Sequence, residues 1–389
     1  DGQTFGTASA PSSSTSPGGP INHEDDGGKG TGSGTEYADV WVKGNYAFIG
    51  HSVADSRVDV VDISDPANPT LFTTWVTSAT GMRIQDLKVD GNFAYFPSDS
   101  GGGMEVVELI YDTNDPTKLD RLEYRTRITS SQGGLDFIHN ISIDNGLLFQ
   151  SSSRNNTVKV FDIQNPASPV FKGTLFADGT VHDITARNGR VYTSNISSGT
   201  TDIFDVSLDG NGNLVQNLVT NFYSGPSTHS SWPTEDGNYL VVAEERPSGN
   251  VSIFDISQSS PVNVATFSAS SLGISAYSPH NPIIEGDRLY VSWYQAGVQV
   301  FDISDPTNPV HLGGYDTYPG TVAVFNGNWG VHPWSENPTH FVASDMQTGL
   351  YVLSSVAGTS HEINLGEVEV VTGVDFGVWI NPEIIQIID

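Results

Sequence analysis

The segment VDVVDISDPANP at 58–69 returns as VKVFDIQNPASP at 158–169 and as VQVFDISDPTNP at 298–309. Weaker copies are MEVVEL (104–109), TDIFDV (201–206), VSIFDI (251–256) and LYVLSS (350–355). Each copy is short and rich in β-branched residues. Several end in Asp-Pro or Asn-Pro, the composition of a strand running into a turn. A chain that restates one strand-and-turn unit over most of its length is built from copies of one supersecondary element.

A second strand precedes each copy. These strands begin at residues 46, 93, 147, 190, 239, 288 and 340, spaced 43–54 residues apart. A turn such as KGN, DGN, DNG or RNG leads into most of them, with a further apolar strand ahead of it (VWV, LKV, ISI, ITA). A fourth strand follows the Pro turn, as in TLFTTW (70–75) and VFKGTL (170–175). Four strands per repeat at this period is the pattern of a β-propeller blade. The expected fold is therefore all-β: a seven-bladed β-propeller of four-stranded blades over residues 36–360. A pair of β-sandwiches does not explain the fixed order of turn types.

The two ends differ from this body. Gly, Ser, Thr and Pro supply 23 of residues 1–35, a low-complexity arm that cannot build a core. Residues 361–389 form a β-prone tail. HEINLGEVEVV is expected to give the seventh blade its fourth strand, and the remainder to cover a sheet edge of its own subunit or of a neighbour.

With 45 acids against 16 bases the chain carries a formal charge of −29. That excludes nucleic acid as a natural partner and argues against an anionic membrane surface. It points to a salt-rich setting, where charge keeps the surface hydrated. There is no cysteine, so disulfides, thiolate metal sites and Cys nucleophiles are excluded. No apolar run is long enough for a membrane span. Four sequons, at Asn140, Asn155, Asn195 and Asn250, would permit glycosylation outside a cell.

Aligning the units on their first strand places Gln85, His139, His182, His229, His280 and His332 in one slot of blades two to seven, with Ala38-Asp39 near it in blade one. Five of the ten histidines share this slot. The first strand lines the central channel, and the second runs antiparallel to it. The loop after the second strand therefore shares a mouth with the histidines, and it carries Asp99, Arg154, Glu244, Glu245, Arg246 and Asp345. Imidazole with carboxylate is a ligand set for copper, zinc, iron or manganese. The expected metal ligands are His139, His182, His229, His280, His332 and Glu244, with Glu244 and Glu245 as candidate catalytic bases. The channel is expected to be too wide for all five imidazoles to reach one ion. The competing reading makes each histidine a hydrogen-bonded tie between blades.

Other signals are fainter. DGNGN (209–213) has the spacing of a calcium loop, but Thr220 stands where the closing Glu belongs, so a tight turn fits as well. Trp232, Trp293, Trp329 and Trp334 lie near strand ends on the same face and offer stacking surfaces for carbohydrate. No nucleophile elbow, HExxH helix, P-loop or dinucleotide fingerprint is present.

The DISDP-x-NP units resemble LVIVD repeats, known from secreted and cell-surface propellers. The order of motifs is similar to that of the related choice-of-anchor B family. It runs through QDLKVDGNFAYFPSDSGGGMEVVEL (85–109), HNISI (139–143), VHDI (181–184), THSSWPTEDGNYLVVAEE (228–245), PHNPIIEGDRLYVSWYQAGVQVFDISDPTNPV (279–310), GGYDTYPG (313–320), GNWGVHPW (327–334) and SDMQTGLYVL (344–353). The absence of cysteine departs from the family, which often carries it in the third and fourth blades. The resemblance implies an exported propeller at or beyond the cell surface and no established reaction. Residues and resemblance together favour an extracellular structural or binding module. Its expected partner is another surface component, or itself, as an oligomer or filament joined through the tails. The alternative is a secreted metalloenzyme, hydrolase or oxidoreductase, centred on the histidines.

Overall fold

The structure, a computed structural model, describes residues 4–5, 37–318, 320 and 325–356. These residues form seven antiparallel four-stranded sheets, arranged as the blades of a propeller. The innermost strands are Tyr37–Lys43, Lys88–Asp90, Asn140–Asp144, Val181–Arg187, Thr228–Pro233, Pro282–Glu285 and Asn328–Pro333. In blades one to six the other three strands follow outward in chain order.

The repeated Asp residues build the turns. Asp62, Asp162, Asp255 and Asp302 close the third strands, and each carboxylate accepts the N–H of the residue two further on at 2.9–3.0 Å. In the Asp-Pro turn that follows, Asp65 and Asp305 repeat the device with Ala67 and Thr307 at 3.1 and 3.0 Å. Asp and Asn favour such turns because their side chains satisfy local N–H groups. This is why the motif recurs almost unchanged while the strands around it drift.

Burial then orders the strands. The second and third strands of blade one, Tyr46–His51 and Arg57–Asp62, are almost wholly buried, whereas the outer strand Thr70–Val76 is not. Facing blades share their cores: Phe48, Val58 and Val60 of blade one pack with Ile84, Leu87 and Phe96 of blade two. A register shift falls at the same place between third and fourth strands in blades one to six, for example at Val60/Val61 and Val300/Phe301. Such bulges sharpen the twist that lets flat sheets pack radially.

Blade seven differs from the expectation. Its strands Asn328–Pro333, His340–Asp345 and Gly349–Val356 are flanked on the outside by Thr4–Phe5, paired antiparallel with Thr4 opposite Val356 and Phe5 opposite Ser355. Thr4–Phe5 thus holds the outer place expected for HEINLGEVEVV and shares one sheet with the last described strand. Residues 361–389, with the assembly role expected of them, lie outside the described residues.

Candidate functional site

The histidine slot is a structural irregularity before it is a chemical site. In blades four and five the first strand changes register between Val181 and Asp183 and between Thr228 and Ser230. His182 and His229 are the extra residues at these bulges. A bulge re-aims the side chain that it carries. In blades three and six the slot residue sits just ahead of the strand, with the N–H groups of His139 and His280 bonded to the Ser151 and Ser292 carbonyls at 2.9 Å.

The same bulge in blade seven lies between Asn328 and Gly330, so its slot residue is Trp329. His332 stands three residues along and does not join the others. It packs on Trp41 with ring centres 4.2 Å apart, and its Nδ1 meets the Pro333 carbonyl at 2.6 Å. Burial drives its pKa down to about 3. His332 is therefore removed from the expected ligand set and is a neutral packing residue.

Four imidazoles do converge. His139 and His182 have ring centres 4.2 Å apart, as do His182 and His229, and His229 and His280 lie 4.6 Å apart. Trp329 continues the arc at 4.6 Å from His280, and its indole N–H donates to the Gln85 carbonyl of blade two at 3.2 Å. Neighbouring rings are thus in contact along the arc, while no group of ligand atoms among the described residues gathers more than two of the histidines.

The carboxylates are selected by strand alternation. Glu244 ends the strand Tyr239–Glu244 and is 4% exposed, with Arg246 as its ion-pair partner at 2.6 Å. The structure pairs it with Arg246 and does not bring it into the ligand groups of the histidine arc, where the sequence placed it. Glu245, one residue further and on the other side of the chain, reaches His229 Nε2 at 3.6 Å. The Tyr294 hydroxyl donates to Glu245 at 2.6 Å. Tyr294 holds φ +39°, a strained backbone for a bulky residue, of the kind that concentrates at functional sites. Asp183, next to the bulged His182, lies 2.9 Å from its Nδ1, 4.0 Å from His139 Nε2 and 4.0 Å from His229 Nδ1. Asp99 backs His139 Nδ1 at 3.7 Å, beyond hydrogen-bond reach, and is itself held by Arg154 at 3.3 Å. Asp345 is engaged elsewhere, with Thr317 at 2.7 Å and the Gln347 N–H at 2.9 Å.

Charge follows from these neighbours. Burial opposes ionisation of Glu245, but the surrounding imidazoles and the Tyr294 hydroxyl outweigh it and bring its pKa down to about 2. Asp183 is likewise held below the usual carboxylate range, against burial, by His229, His182 and His139. Burial lowers the His229 pKa to about 3. At neutral pH the site therefore presents ionised carboxylates and a neutral imidazole, the forms that bind metal. His139 Nδ1 and His229 Nδ1 are buried without a hydrogen-bond partner.

Among the described residues two groups have ligand atoms within 4.8 Å of one another: His182, His229 and Glu245, and His139, His182 and Asp183. His280 joins neither, and its Nδ1 instead meets the Trp329 carbonyl at 2.6 Å. Three-residue sets of imidazole and carboxylate are those that leave a metal position open for water or another small ligand. Next to the arc, at Asp183, is a cavity of about 290 Å³, lined also by Asn140, Trp41, Lys88, Thr185 and Val331 among others. Asp183 is common to cavity and arc. Lys88 ties Asp86 to Asp39 at the cavity wall.

The fainter candidates resolve differently. Trp293 and Trp334 are 0% and 2% exposed and pack inside the protein, so they offer no stacking face for carbohydrate. The DGNGN segment is a turn in which the Asp209 carboxylate accepts the Asn211 and Asn213 N–H groups at 2.8 and 2.9 Å. Asn195 is 0% exposed and is closed to glycosylation in the folded protein. Asp183 and Tyr294 were not singled out by sequence. The HD pair at 182–183 was a usable signal for the first. Tyr294 had none beyond the tight YQAG loop.

The LVIVD repeat profile matches residues 36–77, 153–176 and 283–317. This chain carries LVIVD repeats. The matched segments are blade scaffold, and none contains His139, His182, His229 or Glu245. No curated protein matches the chain. Among solved structures it is similar to the RRP9 WD40 repeats, at 11% identity and a TM-score of 0.59 over 88% of this chain and 99% of that one. A functionally unknown protein from Desulfotomaculum acetoxidans DSM 771 is similar at 16% identity and a TM-score of 0.51, over 72% and 86%. The computationally designed Ika8 protein gives 11% and 0.53, over 83% and 98%. At these identities the likeness concerns the fold. Repeat and fold together support a binding or structural module. Among the described residues no helix is long and apolar enough to cross a membrane.

Proposed function

We propose that this LVIVD-repeat propeller binds a transition-metal ion at its channel mouth through His182, His229 and Glu245 and works outside the cell as a metal-dependent binding module. One observation carries the reading. The ligand atoms of these three residues fall within 4.8 Å of one another, in a site whose carboxylate is ionised and whose His229 is neutral. Imidazole and carboxylate without thiolate suit zinc, copper, iron or manganese. Such an ion, with a coordination position left open, polarises a bound water or holds a small ligand. The extracellular setting is supported by the repeat family and by the net charge of −29.

The test is elemental analysis of natively purified protein dialysed without chelator. Near-stoichiometric copper, zinc, iron or manganese is expected. It should be lost in His182→Ala and His229→Ala, with affinity lowered more than about 100-fold. Protein that neither retains nor takes up any of these metals overturns the reading and leaves the arc as a tie between blades.

A further inference from the structure

His182 belongs to both three-residue groups, and its ring lies between those of His139 and His229, 4.2 Å from each. Two ligand atoms on one ion cannot be further apart than twice the bond length, about 4.6 Å for bonds of 2.0–2.3 Å. The five residues divide into two groups that share His182. We propose that the centre is dinuclear, with the His182 imidazole bridging one ion held with His229 and Glu245 and a second ion held with His139 and Asp183. The proposal rests on the reading that this mouth binds metal.

The atoms of the second group support it. His182 Nδ1 and Asp183 Oδ1 are 2.9 Å apart, the separation of two ligands that subtend about 90° at an ion 2.0–2.1 Å from each. His139 Nε2 lies 4.0 Å from the same oxygen. With Nδ1 assigned to the Asp183 side, Nε2 on the opposite edge of the ring is the atom left for the His229 and Glu245 side.

A carboxylate lies on the Nδ1 side of each outer imidazole, Asp99 at 3.7 Å from His139 and Asp183 at 4.0 Å from His229, too far for a hydrogen bond. With the bridging imidazolate, the ionised Asp183 and Glu245 set three negative charges against the four positive charges of two divalent ions. An imidazole that bridges two ions uses both ring nitrogens and so gives up its ring proton. Uptake of the second ion therefore displaces that proton to the buffer, and the ion takes its place between Nδ1 and Asp183.

The experiment titrates the metal-stripped full chain with Cu(II) and, separately, Zn(II). Bound metal is counted by mass spectrometry, proton release by calorimetry in buffers of differing ionisation enthalpy, and copper environment by electron paramagnetic resonance. Two ions per chain are expected, with one more proton released at the second equivalent than at the first. The copper signal should grow to one equivalent and lose intensity by spin coupling at two. His139→Ala, checked for folding by near-ultraviolet circular dichroism, should bind one ion with an uncoupled signal. His182→Ala should weaken both sites more than about 100-fold. A single ion per wild-type chain, lost equally in His139→Ala and His229→Ala, overturns the bridge while leaving the metal reading intact. No uptake of either metal overturns both.

Discussion

Single residues set how this protein answers to pH. His51 is 5% exposed and is gripped by Asp55 at 2.8 Å and Asp59 at 3.1 Å. Burial alone would lower its pKa, but the two carboxylates outweigh it and raise it to about 9. The folded protein then holds a proton that the unfolded chain releases near pH 6.5, so stability is full below about 6.5 and falls as pH rises to about 9. The expected loss is about 3 kcal/mol at 1.36 kcal/mol per pKa unit. Urea unfolding at pH 6, 7.5 and 9 should show this decline in the wild type, and the difference from His51→Gln should shrink across the same range. A wild-type-minus-variant difference independent of pH would mean that His51 is neutral in the fold. The functional residues were legible to the extent that the blade repeat is legible. Alignment found His139, His182, His229 and His280 because copies of one strand share a slot. It misplaced His332 because a bulge inserts a residue without a local signature, and Trp329 holds that slot. It chose Glu244 as the ligand and gave Glu245 only as a candidate base, because strand alternation separates neighbours only once the strand end is known.

At the scale of elements, the blades are joined by buried polar ties as well as by apolar cores. Glu105, on the third strand of blade two, is 0% exposed. Its carboxylate accepts the Ser78 N–H at 2.6 Å, the Ser78 hydroxyl at 2.5 Å, the Trp75 indole N–H at 3.1 Å and Arg127 at 3.1 Å. It thereby fixes the end of blade one's outer strand to its neighbour. Glu105→Gln turns an amide N–H₂ toward these donors and leaves Arg127 without its carboxylate partner. A cost of about 3 kcal/mol is expected, the low end for a broken buried pair because Arg127 keeps some contact with water. The urea midpoint should fall by that amount with an unchanged slope, and a shift under about 1 kcal/mol would show that water replaces the carboxylate. Strands and turns of this kind were readable because their signals are local: β-branched runs bounded by Asp-Pro or Asn-Gly. The outer strand of blade seven was not. Thr4–Phe5 pairs with residues some 350 positions away, and two residues carry no pattern that names their partner.

For the whole molecule the dominant quantity is charge. A formal net charge of −29 on 389 residues stores self-repulsion that the compact state must bear. Screening relieves it: the Debye length falls from about 30 Å at 0.01 M salt to about 3 Å at 1 M. Buried ties such as Glu105–Arg127 and Lys88 with Asp86 and Asp39 are shielded from that screening, so added salt weakens them little while it removes repulsion between surface carboxylates. The propeller should therefore become more stable as NaCl rises from 0.01 to 1 M, by at least about 2 kcal/mol, or several degrees in melting temperature. Potassium chloride should give the same rise, because screening depends on ionic strength and not on the ion. The measurement is made in chelator so that the histidine centre contributes nothing to the change. A melting temperature flat or falling with salt would show that the acidic surface is already relaxed at low ionic strength, and would remove the physical argument for a salt-rich working environment.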